Sequence, residues 1–382
     1  GALTAPPSVR AQTPAVAVPT HVIVMVWDGL RPSAINATDT PRLAALRRAG
    51  VDFRDHHSTW PTLTMINAAS LATGSYPERH GFLGNSVFQP RAEGVDAAGE
   101  AIDFAKPVFV EDYGLLGALD RRHDGHLSRV PTLFEVAQAK GLATATVGKS
   151  GPAFLQDHHR GGVIIDEHHV WPESFAKRVV ADGAPLPLHT PVAYDGALAL
   201  AEDNGDPTAR VPMQRLRDDS ASDPVVGTVS GNTDANRYLV RAFVNEAMTP
   251  AALPALAVLW LRDPDTTEHQ YGPGSKAVRD ALAANDRLLG ELLDRLQATG
   301  LAASTDVIVM SDHGHSSVAG SPLWFPPRAL SNGAPGSIDE TAGYSVSGEV
   351  RMAELLRRAD PTLEVYDDHQ CLLAPSLSGI LR

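Results

Sequence analysis

Three short apolar runs constrain this chain more than any other feature. They are His21-Val22-Ile23-Val24-Met25-Val26-Trp27, Ala255-Leu256-Ala257-Val258-Leu259-Trp260-Leu261 and Asp306-Val307-Ile308-Val309-Met310. Each is too short for an ordinary helix and nearly continuous in apolar character. Strands covered on both faces read this way, whereas a half-exposed strand alternates. Helical patterns separate them. Pro41 to Ala49 is closed by Gly50, Val130 to Lys140 ends at Gly141, and Asp234 to Met248 follows later. Ser275 to Thr299 carries an apolar stripe of Val278, Leu282, Leu289, Leu292, Leu293 and Leu296, closed by Gly300. With a further strand at Ala143 to Gly148, this rhythm predicts an α/β domain whose mostly parallel central sheet is flanked by helices on both faces.

What ends the runs matters as much. The first stops at Asp28-Gly29-Leu30-Arg31-Pro32, the second at Arg262-Asp263-Pro264-Asp265 with His269 beyond, the third at Ser311-Asp312-His313-Gly314-His315. The carboxyl ends of parallel strands form the rim where open α/β sheets bind ligands. Taken singly, Asp28 reads as a turn former and 263–269 as a solvated acidic loop. Asp265 and His269 are also spaced i, i+4, which puts both on one face of a helical turn, as two metal ligands from one segment require.

A fourth stretch, Trp60 to Gly74, has an extended Pro-containing entry leading into a helical pattern that starts near Thr64. Thr at a helix start is most often a cap. The same position surrounds its hydroxyl with unpaired N–H groups that favour an anion. Asn85 reads as a turn residue or as a donor to a phosphate oxygen. Read together, mixed carboxylate and imidazole groups on one rim suit Zn²⁺ or another divalent first-row ion. Two such ions would clamp the attacking and leaving oxygens of an in-line displacement.

Composition narrows the partners. The 382 residues are 43% hydrophobic, enough for a large core, and the formal net charge is -13, which argues against a broad nucleic-acid-binding face. Cys371 is the lone cysteine, so no intrachain disulfide forms, and no apolar run reaches membrane-span length. Residues 1–20 read as a disordered lead-in or signal-peptide remnant, with export expected, and 21–382 as the catalytic domain. Residues 91–128 are expected to be a surface insertion and 150–232 a cap over the site. His158-His159 and His168-His169 are read as surface or cap residues, because neighbours on a strand point to opposite faces.

The ordered set of motifs resembles the nucleotide pyrophosphatase/phosphodiesterase branch of the alkaline phosphatase superfamily. The pieces are Asp28-Gly29-Leu30-Arg31-Pro32; Pro61-Thr62-Leu63-Thr64 with Asn67 and Ala72-Thr73-Gly74; Tyr76-Pro77 with His80-Gly81; Asn85; Pro264-Asp265 with His269 and Tyr271-Gly272-Pro273; and Ser311-Asp312-His313-Gly314. They span about residues 21–145 and 233–316. The resemblance implies an alkaline phosphatase-like fold and a two-zinc hydrolase of small phosphate esters or nucleotides, with Thr64 as nucleophile. One zinc would be held by Asp28, Thr64, Asp312 and His313, the other by Asp265, His269 and a further His. Asn85 and the Thr64 backbone N–H would hold a phosphate oxygen. The further His is where the chain departs from the family. Only His315 and His369 follow His313, and neither has the usual His-Gly setting. That leaves open a truncation at the C-terminus and a metal-deficient, non-catalytic member. A phosphomonoesterase or phosphonate hydrolase is the other alternative. A sulfatase is disfavoured, since Cys371 is far from the Thr64 stretch.

Overall fold

The computed structural model describes residues 19–96, 99–168, 170–181, 197–201, 207–212, 232–271, 273–315, 338–339, 343–344, 352–368 and 371–373. At its centre lies a sheet with the spatial order Thr305–Met310, His21–Trp27, Leu256–Leu261, Thr144–Gly148, Val163–Asp166 and Val170–Trp171. All neighbours in this order pair in parallel except the last, which closes the edge antiparallel.

The apolar runs are buried on both faces, as their composition requires. Ile23, Met25 and Trp27, with Ala257, Leu259 and Leu261, point into one hydrophobic cluster. Val24 and Val26, with Val258 and Trp260, point into the other. Helices Pro41–Ala49, Asn232–Glu246 and Lys276–Ala298 cover the first face through Leu43, Phe243, Leu282 and Leu289. Helices Thr64–Thr73, Tyr113–Arg122, Leu133–Gln138 and Ser150–Gln156 cover the second through Met65, Leu116, Phe134 and Phe154. Each fully buried side chain of this size stabilises the fold by roughly 1.5–3 kcal/mol.

Two sequence expectations change here. The 91–128 stretch is more than surface: Phe104, Val110, Leu115, Leu116 and Leu119 are core residues, and Asp112 caps their helix by accepting the Leu115 N–H at 2.8 Å. Its charged residues hid a helix that is buried all round from Leu115 to Leu119. Likewise, 150–171 does not start a cap. It supplies a helix of the second layer and the last two strands of the sheet. Of the remainder expected as a cap, most lies outside the described residues.

The register fixes the rim. Val26 pairs with both Met310 and Trp260, Trp27 with Leu261, and Gly148 with Trp260. Four adjacent parallel strands therefore end level, and Asp28, Lys149, Arg262 and Ser311 are the residues that follow them.

His80 ties the second layer to this rim. It is fully buried; its Nδ1 accepts the Phe82 N–H at 3.1 Å, so Nε2 carries the proton and meets the Ser70 Oγ at 3.1 Å. Burial pushes its pKa down to about 4 from 6.5. The unfolded chain therefore binds a proton near pH 6.5 that the folded chain refuses until about pH 4. The stability present above the upper value is lost as pH falls through that window. Denaturant titrations from pH 7 to pH 4 are expected to show falling unfolding free energy, with a shallower fall for His80→Gln.

Candidate active site

Each strand end delivers a charged side chain to one small volume. Asp28 is fully buried, and its two oxygens face different groups. Oδ2 accepts from Lys149 Nζ at 2.9 Å and from Trp260 Nε1 at 3.1 Å. Oδ1 has no hydrogen-bond partner among the described residues and lies 3.4 Å from His313 Nε2. The turn after Asp28 is tight for a steric reason. Gly29 has φ +79°, and a Cβ there would come within 2.9 Å of the Asp265 Cα. The Asp265 N–H donates to the Asp28 carbonyl at 2.9 Å, and the Gly29 N–H to Asp312 Oδ1 at 3.2 Å. Backbone bonds thus lock the three acid-bearing loops together.

Asp312 is buried, and its Oδ2 also lacks a hydrogen-bond partner among the described residues; it faces His313 Nε2 at 3.4 Å. Burial, with the neighbouring Asp28 charge, holds the Asp312 carboxyl well above the usual carboxylate range. His313 Nδ1 donates to the Gly314 carbonyl at 3.3 Å, so Nε2 presents a lone pair to these carboxylates. The same nitrogen lies 3.2 Å from Thr64 Oγ1.

Thr64 is the first residue of its helix, after an extended Leu63 that makes no side-chain cap. Asn67 holds this entry in place: its Oδ1 accepts the Thr59 N–H at 2.6 Å and its amide donates to the Leu63 carbonyl at 3.1 Å. Asn85 Oδ1 accepts the Met65 N–H at 2.9 Å, which leaves its amide NH₂ as the available donor.

Asp265 and His269 fall on one turn of helix Asp265–Tyr271, with Oδ1 and Nε2 3.4 Å apart. The i, i+4 expectation holds in the geometry. His315 joins them, its Nε2 2.7 Å from the same Oδ1. Burial alone would raise the Asp265 pKa, but His269, His315 and Lys149 outweigh it and hold the carboxyl well below its ordinary value. Candidate ligand atoms form two triads, Asp265–His269–His315 and Asp28–Asp265–His313, each within 4.8 Å.

Sequence reasoning left His315 unassigned, and it missed Lys149, Glu111 and Trp260. His315 had a signal: two residues beyond His313 in extended backbone, side chains return to the same side. Lys149 had none, because its strand ends in Gly-Lys rather than in an acid. Its ammonium is completely buried between Asp28 at 2.9 Å, Glu111 at 3.0 Å and Asp265 at 3.9 Å. Burial disfavours the charged form, but these carboxylates outweigh that and raise its pKa above the ordinary value. Arg262 extends the network, pairing with Glu167 at 2.6 Å. Glu268 stands at the edge, its carboxyl pushed up to about 7 by burial. His369 lies outside the described residues.

A family model described as type I phosphodiesterase / nucleotide pyrophosphatase matches residues 22–371. The chain is 23% identical over 310 residues to the venom phosphodiesterase CdcPDE of Crotalus durissus collilineatus, a match covering 81% of this chain and 28% of that protein. It is 21% identical over 356 residues to the bis(5'-adenosyl)-triphosphatase enpp4 of Mus musculus, covering 91% and 59%. The solved structure of murine ectonucleotide pyrophosphatase / phosphodiesterase 5 superposes with a TM-score of 0.42 at 19% identity, covering 77% of this chain and 57% of that one. The chain spans less than two thirds of the length of each of these proteins.

The Lys149 arrangement makes a separable prediction. Lys149→Met leaves Asp28, Glu111 and Asp265 without their buried cation. Removing one partner of a buried charge pair costs about 3–5 kcal/mol. Urea unfolding of metal-free protein is expected to show a loss of that order, partly recovered in Lys149→Met combined with Glu111→Gln.

Proposed function

This chain belongs to the type I phosphodiesterase / nucleotide pyrophosphatase family, and on that premise we propose that it is a zinc-dependent hydrolase of phosphate esters acting through Thr64. The observation that carries this reading is the pair of buried, unpartnered carboxylate oxygens, Asp28 Oδ1 and Asp312 Oδ2, facing the bare Nε2 of His313 beside the Thr64 hydroxyl. Buried anionic oxygens without a donor are costly unless a cation takes that place. Two carboxylates, an imidazole nitrogen and a hydroxyl fit a divalent first-row ion.

In this reading Asp28, Thr64, Asp312 and His313 hold one zinc, and Asp265, His269 and His315 the other. His315 supplies the imidazole that the motif order left open, which weighs against a metal-deficient member. When bound, such ions lower the pKa of an adjacent hydroxyl and neutralise charge on attacking and leaving oxygens.

The protein's own groups do the rest. The Thr64 N–H, at the start of helix Thr64–Thr73, and the Asn85 amide would hold a non-bridging phosphate oxygen. Thr64 Oγ1, having given its proton to water, bonds to phosphorus as the bond to the leaving alkoxide or phosphate breaks, and a threonine-linked phosphoester that keeps the substrate's other ester group forms. Water then cleaves the threonine–phosphorus bond and returns the hydroxyl. Lys149 and Trp260 keep Asp28 turned so that Oδ1 faces the reacting region. The substrate class proposed is a small phosphodiester or nucleotide. We also place the enzyme among exported proteins, a reading supported by its similarity to a venom phosphodiesterase. No helix among the described residues is long and apolar enough to cross a membrane.

Two measurements test this. With zinc and a chromogenic phosphodiester, Thr64→Ala is expected to lower turnover by about 10³–10⁶-fold, as loss of a covalent nucleophile does elsewhere. Unchanged turnover removes Thr64 from the mechanism. His315→Gln is expected to weaken retention of one of the two zinc equivalents by at least about 10-fold, read by elemental analysis after dialysis. Equal retention by variant and parent would assign the third ligand elsewhere.

A further inference from the structure

A second cluster of ligating side chains lies on the outer helical layer and shares no residue with the candidate active site. It joins Asp120 at the end of helix Tyr113–Arg122, Glu135 in helix Leu133–Gln138, and His158 and His159 in the turn after helix Ser150–Gln156. The sequence reading of His158-His159 as surface residues holds for His159, which is exposed, but not for His158, which is buried. They lie in a turn rather than a strand, with ring centroids 4.2 Å apart, and both rings approach Glu135.

His158 is 2% exposed, with Nδ1 3.1 Å from Asp120 Oδ1 and Nε2 3.7 Å from Glu135 Oε2. His158 Nδ1 is near Asp120 but off the line of a hydrogen bond, and Glu135 lies beyond hydrogen-bond distance of Nε2. Asp120, His158 and His159 each offer a ligand atom within 4.8 Å of the others, the spacing a shared ion needs. At zinc bond lengths, tetrahedral ligand atoms lie about 3.3 Å apart, close to the 3.1 Å between His158 Nδ1 and Asp120 Oδ1.

The surrounding bonds set up the same arrangement. His159 Nε2 donates to the Gly125 carbonyl at 2.8 Å, which leaves the lone pair on Nδ1, 3.2 Å from Glu135 Oε1. A ligating histidine commonly donates its second nitrogen to a backbone carbonyl in this manner. Each carboxylate is oriented by a backbone donor: Leu127 N–H to Asp120 Oδ1 at 3.0 Å, and Thr132 N–H to Glu135 Oε2 at 2.6 Å. Asp157 fixes the turn itself, accepting the Gly161 and Gly162 N–H groups at 3.0 and 2.8 Å.

We propose that Asp120, His158 and His159, with Glu135 beside them, form a structural site for a divalent first-row ion, zinc foremost, that fastens the end of helix Tyr113–Arg122 to the turn after helix Ser150–Gln156. Two imidazole nitrogens and one carboxylate oxygen, with the fourth position left to water or to Glu135, suit such an ion.

The test uses zinc alone and the full chain in an Asp265→Ala, Asp312→Ala background, which removes a ligand from each candidate active-site position. That protein is expected to retain one zinc equivalent after gel filtration, and zinc is expected to raise its melting temperature. Adding His159→Gln, at a position 43% exposed and so tolerant of change, is expected to abolish both effects. X-ray absorption on the retained zinc is expected to show four nitrogen or oxygen neighbours with imidazole scattering, a readout that does not depend on the variant folding. Absence of retained zinc in that double variant, or equal zinc with and without His159, would overturn the proposal and leave an ion-paired histidine cluster. An active-site failure is distinguishable, because Asp265→Ala with Asp312→Ala would then leave the parent's zinc content unchanged.

Discussion

The arrangement depends on how much negative charge one rim can hold. Asp28, Asp265 and Asp312 converge with Glu111 in a volume from which water is largely excluded. Like charges this near cannot all stay ionised without compensation, and the upward push on the Asp312 carboxyl is the visible sign of that strain. Lys149 compensates on one side. Its single ammonium touches Asp28 and Glu111 and lies within 3.9 Å of Asp265. Arg262 neutralises Glu167 and approaches Glu111 at 3.8 Å. On the opposite side, where Asp28 Oδ1 and Asp312 Oδ2 point, no fixed cation stands among the described residues. The protein has balanced one half of the cluster internally, and under the proposed reading the other half is completed by metal.

That charge balance explains why the sheet must be parallel and in register. Four neighbouring strands ending level are what bring Asp28, Lys149, Asp265 and Asp312 together from positions more than 280 residues apart in the chain. Gly29 lets two of the loops approach within a distance that any Cβ would forbid. Trp260 serves two functions at once: its ring fills the core of one layer, and its Nε1 orients Asp28. Core packing and site geometry are therefore not separable at this edge.

The fold was readable because the apolar runs are nearly continuous and the helical stripes regular. The expected strands at 21–27, 143–148, 255–261 and 306–310 each appear within a residue of those bounds. Asp28, Thr64, Asp265, Asp312 and His313 were legible as candidates because each follows a strand or opens a helix at one rim, and His269 because it falls one helical turn after Asp265. What escaped notice did so for identifiable reasons. Lys149 looks like a surface residue in sequence, and only three-dimensional convergence of carboxylates makes a buried lysine favourable. Leu115, Leu116 and Leu119 were masked by the charges Asp120, Arg121 and Arg122 that end the same helix. His158 was misjudged because strand alternation was applied to residues that lie in a turn.

Asp265 is the residue on which these threads meet. Its backbone N–H is bonded to the Asp28 carbonyl, and its Oδ1 faces His315 at 2.7 Å, His269 at 3.4 Å and His313 at 3.9 Å. One carboxylate oxygen thus belongs to both candidate triads. If both positions hold ions, Asp265 couples them: its carboxylate serves one and its N–H holds the Asp28 loop of the other, so a displacement of its loop would disturb both. The close packing of Gly29 against Asp265 resists such a displacement. Under the proposed reading that shared constraint matters, because two ions acting on the attacking and leaving oxygens need a fixed spacing as much as their charge.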